Sequence, residues 1–261
     1  VQRFAVVTQE SYPNGMSFNN DGTKMYVLGD AGNDVGEYNL STAFDISSAV
    51  FAGNTERFSV STQETNPHGM TFNNDGTKMF ITGYNGDDVN EYSLSTAFDV
   101  STAMYVQRFL VNSQEIVPRG IAFNNDGTKM FIVGSNGDDV NEYNLSTAFD
   151  VSSAVFAGNT ERFSVQSQET NPQGITFNND GTKMFIVGAT GDDVNEYSLS
   201  TAFDVSSASY VQVFSVANED NVPTGMIFNN DGTKMFVVGD QGNDINEYSL
   251  DNPSAQTVCI N

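Results

Sequence analysis

Seven residues, Asn-Asn-Asp-Gly-Thr-Lys-Met, recur five times along the chain, at 19–25, 73–79, 124–130, 178–184 and 229–235. The steps between copies alternate 54, 51, 54 and 51 residues, so the larger unit is a pair of 105 residues. Val1-Gln2-Arg3-Phe4 accordingly returns as Val106-Gln107-Arg108-Phe109 and as Val211-Gln212-Val213-Phe214. A period near fifty residues with several short strand-like runs describes a unit that cannot bury its own faces and must stack on its copies. That is the signature of a propeller blade.

Turn chemistry and period place the strands. Pro13-Asn14-Gly15 leads into Met16-Ser17-Phe18 as strand A, and Asp21-Gly22 supplies a tight hairpin turn in which glycine takes positive φ. Lys24-Met25-Tyr26-Val27-Leu28 is nearly continuously apolar, as a strand buried on both faces between blades must be. A short loop then precedes strand C at Val35-Gly36-Glu37-Tyr38-Asn39-Leu40, and after a linker at 41–54 comes strand D at Arg57-Phe58-Ser59-Val60. Residues 1–7 read as a strand D with no A, B or C before it, while the last unit stops after its strand C at Glu247-Tyr248-Ser249-Leu250. Ring closure joins the two and removes an open sheet edge.

The expected fold is therefore an all-β, five-bladed propeller of four-stranded antiparallel blades, forming one domain over 1–261. Units lie near 10–63, 64–114, 115–168, 169–219 and 220–250, the last closed by 1–9, with 251–261 outside the repeat. The Asp-Gly-Thr-Lys turn followed by Met-Phe-Ile-Val-Gly resembles the repeats of bacterial YVTN, TolB and NHL-type propellers over every blade. That resemblance implies a repeat style shared by scaffolds, adhesins and some lyases or lactonases. It carries no catalytic residue across, and near-identical tandem copies also resemble phage and marine bacterial surface proteins.

Ten basic residues stand against 33 acidic ones, a net charge of −23 spread through every repeat. Such a field repels phosphate backbones, so nucleic acid is not an expected partner, and no apolar run reaches the roughly 20 residues of a membrane helix. A soluble, monomeric protein at an extracellular, cell-surface or virion setting is expected. Cys259 is the only cysteine and cannot form an internal disulfide.

The five copies differ mainly on one face. The turn Asn-Asn-Asp-Gly-Thr is identical in all, and Leu-Ser-Thr-Ala-Phe-Asp in four, so the face carrying them reads as scaffold with Phe44, Phe98, Phe149 and Phe203 as anchors. On the opposite, upper face, between Pro and Gly at the start of strand A, stand Asn14, His68, Arg119, Gln173 and Thr224. This varied polar ring at the channel mouth, with Tyr84 as a stacking face, is the expected ligand-binding site, because loops on a rigid scaffold are where binding usually sits. Arg119 is the one cation outside a repeat position.

No motif requires a cofactor. Calcium favours oxygen-rich loops, and Asp30, Asp34, Asp240 and Asp244 are the candidate ligands. The strand C glutamates are expected to pair with strand D arginines, Glu37 with Arg57, Glu91 with Arg108, Glu142 with Arg162 and Glu247 with Arg3, leaving Glu196 without a partner. There is no Ser-His-Asp set, cysteine nucleophile or histidine cluster. The expectation is thus a non-enzymatic recognition propeller for a glycan or other small polar ligand. A structural or adhesive spacer is the alternative, and a propeller hydrolase or lyase a second one.

Overall fold

The computed structural model describes residues 1–250; the segment 251–261, and with it Cys259, lies outside the described residues. Strands A, B and C of the five blades are Pro13–Phe18, Lys24–Gly29 and Asp34–Leu40; Pro67–Phe72, Lys78–Gly83 and Asp88–Leu94; Pro118–Phe123, Lys129–Gly134 and Asp139–Leu145; Pro172–Phe177, Lys183–Gly188 and Asp193–Leu199; and Pro223–Phe228, Lys234–Gly239 and Asp244–Ser249. Each forms an antiparallel meander, and strand D of blade 5 is the N-terminal strand Gln2–Ala5, which pairs Gln2 with Glu247 and Phe4 with Ile245. The ring closes as the repeat count requires.

The difference between 54- and 51-residue units lies wholly in strand D. Blades 2 and 4 carry it as unbroken eight-residue strands, Ala103–Leu110 and Ala208–Ser215. Blades 1 and 3 split it into Ala49–Phe51 with Arg57–Ser59, and Ala154–Phe156 with Arg162–Ser164, around the 3-10 turns Asn54–Glu56 and Asn159–Glu161. The linker at 41–54 therefore contains a 3-10 turn at Ile46–Ser48 and a strand at Ala49–Phe51.

Strand B explains the stacking. Tyr26, Phe80, Phe131, Phe185 and Phe236 are all fully buried, and each meets a strand A phenylalanine of the next blade at 4.7 Å: Phe72, Phe123, Phe177, Phe228 and, closing the circle, Phe18. Five equivalent aromatic seams bind the ring, each worth about 0.5–1.5 kcal/mol beyond the area it buries.

The invariant turn has a reason beyond its own geometry. Asp21 Oδ1 accepts from the Thr23 N–H (3.0 Å) and hydroxyl (2.5 Å), while Gly22 sits at φ +70°. The second asparagine of each turn donates its amide to the backbone carbonyl of the same residue in the next blade. Asn20 thus donates to Asn74 (2.6 Å), Asn74 to Asn125 (2.5 Å), Asn125 to Asn179 (2.7 Å), Asn179 to Asn230 (2.5 Å) and Asn230 back to Asn20 (2.5 Å). Asn125→Ala is expected to remove one link of this circle and cost about 1 kcal/mol, a fall of roughly 2–4 °C in thermal midpoint by differential scanning calorimetry. The linker phenylalanines act as anticipated: Phe44, Phe98, Phe149 and Phe203 pack against the core, and all four adopt φ between +53° and +58°.

Candidate functional site

In every blade the strand A–strand B ladder shifts register just after the first proline, so the residue between Pro and Gly occupies a β-bulge. A bulge re-aims a side chain that regular pairing would hold in line. The following glycine is required by proximity. A Cβ on Gly120 would lie 2.8 Å from the Gly174 Cα, and one on Gly15 would lie 2.7 Å from the His68 carbonyl. The five strands A thus converge backbone to backbone, and the five varied side chains are gathered at the mouth.

Convergence also buries them. Asn14, His68, Gln173 and Thr224 are each less than a tenth exposed, and Arg119 is half-buried. Asn14 donates to the Pro67 carbonyl (2.8 Å), Thr224 to the Pro13 carbonyl (2.8 Å) and Gln173 to Asn171 Oδ1 (2.8 Å). Three of the five ring residues are therefore occupied in holding blades and loops together. Beneath them a cavity of only about 30 Å³ ends at Met16, Met70, Ile121, Ile175 and Met226, and these same residues cap a 160 Å³ chamber on the lower side. The upper cavity has room for water and not for a sugar ring.

The remaining two, His68 and Arg119, belong to a denser group. Arg119 NH1 lies 2.6 Å from His68 Nε2 and 2.9 Å from Nδ1. Burial first, and the Arg119 charge second, lower the His68 pKa to about 3, so the ring is neutral and accepts from the guanidinium. Asn66, with its amide oriented to satisfy its neighbours, donates to His68 Nε2 (3.0 Å) and to Asp30 Oδ2 (3.0 Å). Burial, reinforced by Glu10 and Glu64, raises Asp30 to about 6, with Asn14 and Arg119 pulling the other way. Arg119 Nε is buried and makes no hydrogen bond, and burial lowers the guanidinium pKa against the attraction of Asp30 and Glu115. Tyr84, 46% exposed, stands near Arg119 at the mouth. A carboxyl that titrates near neutrality thus faces a cation with an unspent donor. Asn66 was not singled out from the sequence, although the position before each proline also varies, among three residue types: Tyr12, Asn66, Val117, Asn171 and Val222.

One expectation about charge needs correction. The glutamates of strand C do not pair with the arginines of strand D. Arg108 lies across from Asn90, whose neighbour on the same face is Asp88, while Glu91 points to the other face. Arg57 therefore binds Asp34 (2.7 Å), Arg108 binds Asp88 (3.3 Å), Arg162 binds Asp139 (2.6 Å) and Arg3 binds Asp244. The glutamates take the strand B lysine of their own blade at 2.7–2.8 Å: Glu37 with Lys24, Glu91 with Lys78, Glu142 with Lys129, Glu196 with Lys183 and Glu247 with Lys234. Glu196 is partnered after all. Of the candidate calcium ligands, Asp34 and Asp244 are held by Arg57 and Arg3. Among the described residues neither they nor Asp30 and Asp240 join a group of three converging acids. The upper-face loop acids are backbone caps: Glu64, for example, accepts from the Asn66, Asn85 and Gly86 N–H groups (2.7, 3.2 and 3.1 Å).

No known protein family and no curated protein matches the sequence. Solved structures do match in shape. A Lactobacillus plantarum protein superposes with a TM-score of 0.58 at 12% identity, over 95% of this chain and 70% of its own. A Bacteroides uniformis protein provisionally named a 6-phosphogluconolactonase gives 0.56 at 12%, over 91% and 66%. A luciferin-regenerating enzyme gives 0.54 at 13%, over 97% and 90%. Likeness at this level defines the fold, a β-propeller. The expectation of a non-enzymatic recognition module is corrected to this extent: several of the similar structures carry the names of enzymes, lactonases among them. Among the described residues no helix is long and apolar enough to cross a membrane.

Proposed function

We propose that the chain is a propeller hydrolase that opens a small polar ester, a sugar-acid lactone being the class suggested by the lactonase names among its structural neighbours. The observation that carries the reading is the juxtaposition of Asp30 and Arg119 through Asn66 and His68. A carboxylate on one side of a polar mouth and a half-buried guanidinium on the other suit base-assisted attack of water on a carbonyl.

Asp30 takes a proton from water as the water oxygen bonds to the carbonyl carbon. The carbonyl oxygen gathers negative charge and is held by Arg119 N–H groups. When the tetrahedral species collapses, the ring C–O bond breaks and the leaving oxygen recovers the proton from Asp30, so one water and one lactone give one hydroxy acid. His68 is a positioning residue: neutral, it accepts from Arg119 and fixes the guanidinium without competing for charge. The small cavity keeps the substrate at the mouth, against Tyr84, rather than within the channel.

The test is turnover of a panel of aldonolactones and simple aryl esters, followed in a pH-stat. Wild-type protein is expected to hydrolyse at least one lactone, and Asp30→Asn to lose 10²-fold or more, roughly the contribution of a general base, with its melting temperature preserved. Absence of turnover across the panel, or an active Asp30→Asn, would refute the assignment.

A further inference from the structure

On the lower face the strand C glutamates of blades 1, 2, 3 and 5 each turn an oxygen toward the linker of the next blade. In blade 2 that slot is filled with donors. Glu91 Oε2 accepts from the Val151 N–H (3.1 Å) and from Gln107 Nε2 (2.9 Å), and the same amide donates to Asp150 Oδ1 of blade 3 (2.8 Å). One NH₂ thus bridges two carboxylates of adjoining blades. In blade 4 Gln212 likewise donates to Glu196 Oε2 (2.8 Å), and in blade 5 Glu247 Oε2 accepts from the Ile46 N–H (3.2 Å).

Blades 1 and 3 replace that glutamine by a glutamate. Glu56 precedes Arg57 and Glu161 precedes Arg162 as Gln107 precedes Arg108. The three extra residues of these units, turned at Gly53 and Gly158 (φ +112° in both), place each glutamate on its 3-10 turn. The bridging donor has become a third acceptor. Carboxylate oxygens of Glu37, Glu56 and Asp99 lie within 4.8 Å of one another, and so do those of Glu142, Glu161 and Asp204. Glu37 and Glu142 are each 2% exposed; no hydrogen bond reaches Glu37 Oε2, and Glu142 has no donor beyond Lys129 and the Val205 N–H. Burial first, then Glu56 and Asp99, raise Glu37 above the ordinary carboxylate range against the pull of Lys24. Burial and Glu161 raise Glu142 likewise, against Lys129 and the Val205 N–H. Three carboxylates and the Lys24 ammonium leave a local charge of −2 at the first site, and Lys129 does the same at the second.

We propose that these triads are two equivalent calcium sites, in which a divalent cation replaces the bridging amide and cross-links blade 1 to blade 2 and blade 3 to blade 4. Calcium takes hard oxygen ligands at about 2.3–2.6 Å in irregular geometries, so oxygens up to about 5 Å apart share one ion. Asp99 spends Oδ1 on the Ser101 N–H and hydroxyl (3.1 and 2.6 Å), which keeps its carboxylate oriented. The glutamates on the turns and the linker aspartates are half-buried, so each site opens to solvent on one side. Both triads lie on the face opposite Asp30 and Arg119, and the proposal is independent of the hydrolytic one.

The experiment is calorimetric titration of chelator-stripped protein with CaCl₂ at physiological ionic strength, together with thermal unfolding. Two equivalents are expected, with a thermal midpoint raised by about 5–10 °C per site at a hundredfold excess over Kd. Glu56→Gln with Glu161→Gln installs the amide that blades 2 and 4 carry. That variant is expected to bind no calcium, to lose the calcium-dependent shift, and to melt above wild type in chelator. Glu56→Gln alone should leave one equivalent. Fewer than two equivalents in wild type, two retained in the double variant, or an equal response to MgCl₂ as diffuse screening would give, would each overturn the proposal.

Discussion

Lys78→Met is expected to destabilise the protein by about 3 kcal/mol, the largest single effect among the seam residues. Lys78 Nζ donates to Glu91 Oε1 (2.7 Å) and to the Phe149 carbonyl of the next blade (2.6 Å), so one ammonium neutralises a buried acid and ties two blades. Methionine fills similar volume but leaves Glu91, 2% exposed, without its cation. The lysine side chain is itself 30% exposed, and water screening holds the loss toward the low end for a broken buried pair. Equilibrium urea unfolding measures it. Adding Glu91→Gln should restore most of the loss by removing the stranded charge, and a Lys78→Met protein as stable as wild type would show that Glu91 does not depend on the pair.

Arg119→Gln is expected to reduce kcat for lactone opening by about 10²–10³, the usual cost of removing a donor that meets a developing oxyanion. The guanidinium is the only Lys or Arg side chain that departs from the repeat, and it is half-buried at the mouth. Because the interaction strengthens as charge develops on oxygen, kcat should fall with KM little changed. His68→Ala should lower kcat less than Arg119→Gln, because it frees the guanidinium from its orienting ring while keeping the charge. A rise in KM with kcat unchanged would make Arg119 a substrate anchor, contrary to its assigned role.

The fold was legible because five copies in one chain act as their own alignment. The constant turn, the alternating step and the unpaired first strand require five blades and a closing strand, and the sheet of blade 5 contains that strand. The polar ring was legible as the place where copies differ, and the bulge after each proline gathers its members. Burial was not legible. Asn14 and Thr224 spend their polar atoms between blades, because the glycines that follow bring neighbouring strands closer than side-chain periodicity alone implies.

Charge pairing failed for a related reason. In a strand a one-residue offset moves a side chain to the opposite face, and Arg57 sits across from Gly36, one residue from Glu37. The arginine therefore finds Asp34 and the glutamate finds Lys24, a partner on its own face. The lower-face triads show the same limit: Glu56 and Gln107 occupy equivalent positions in the sequence, but only the packed seam shows that one completes a hydrogen-bond bridge's mirror image, an acid where the other blade has a donor.

The most direct test of the hydrolytic account is the pH dependence of kcat/KM for lactone opening by the wild-type protein between pH 4 and pH 8, because free-enzyme ionisation appears in that quantity. Asp30 must be ionised to accept a proton, and its pKa is raised to about 6, so activity should be low at acidic pH, rise tenfold per pH unit below about 6 and level off above it. A profile that is flat through this range, or no turnover at any pH, would contradict the assignment of Asp30 as the base.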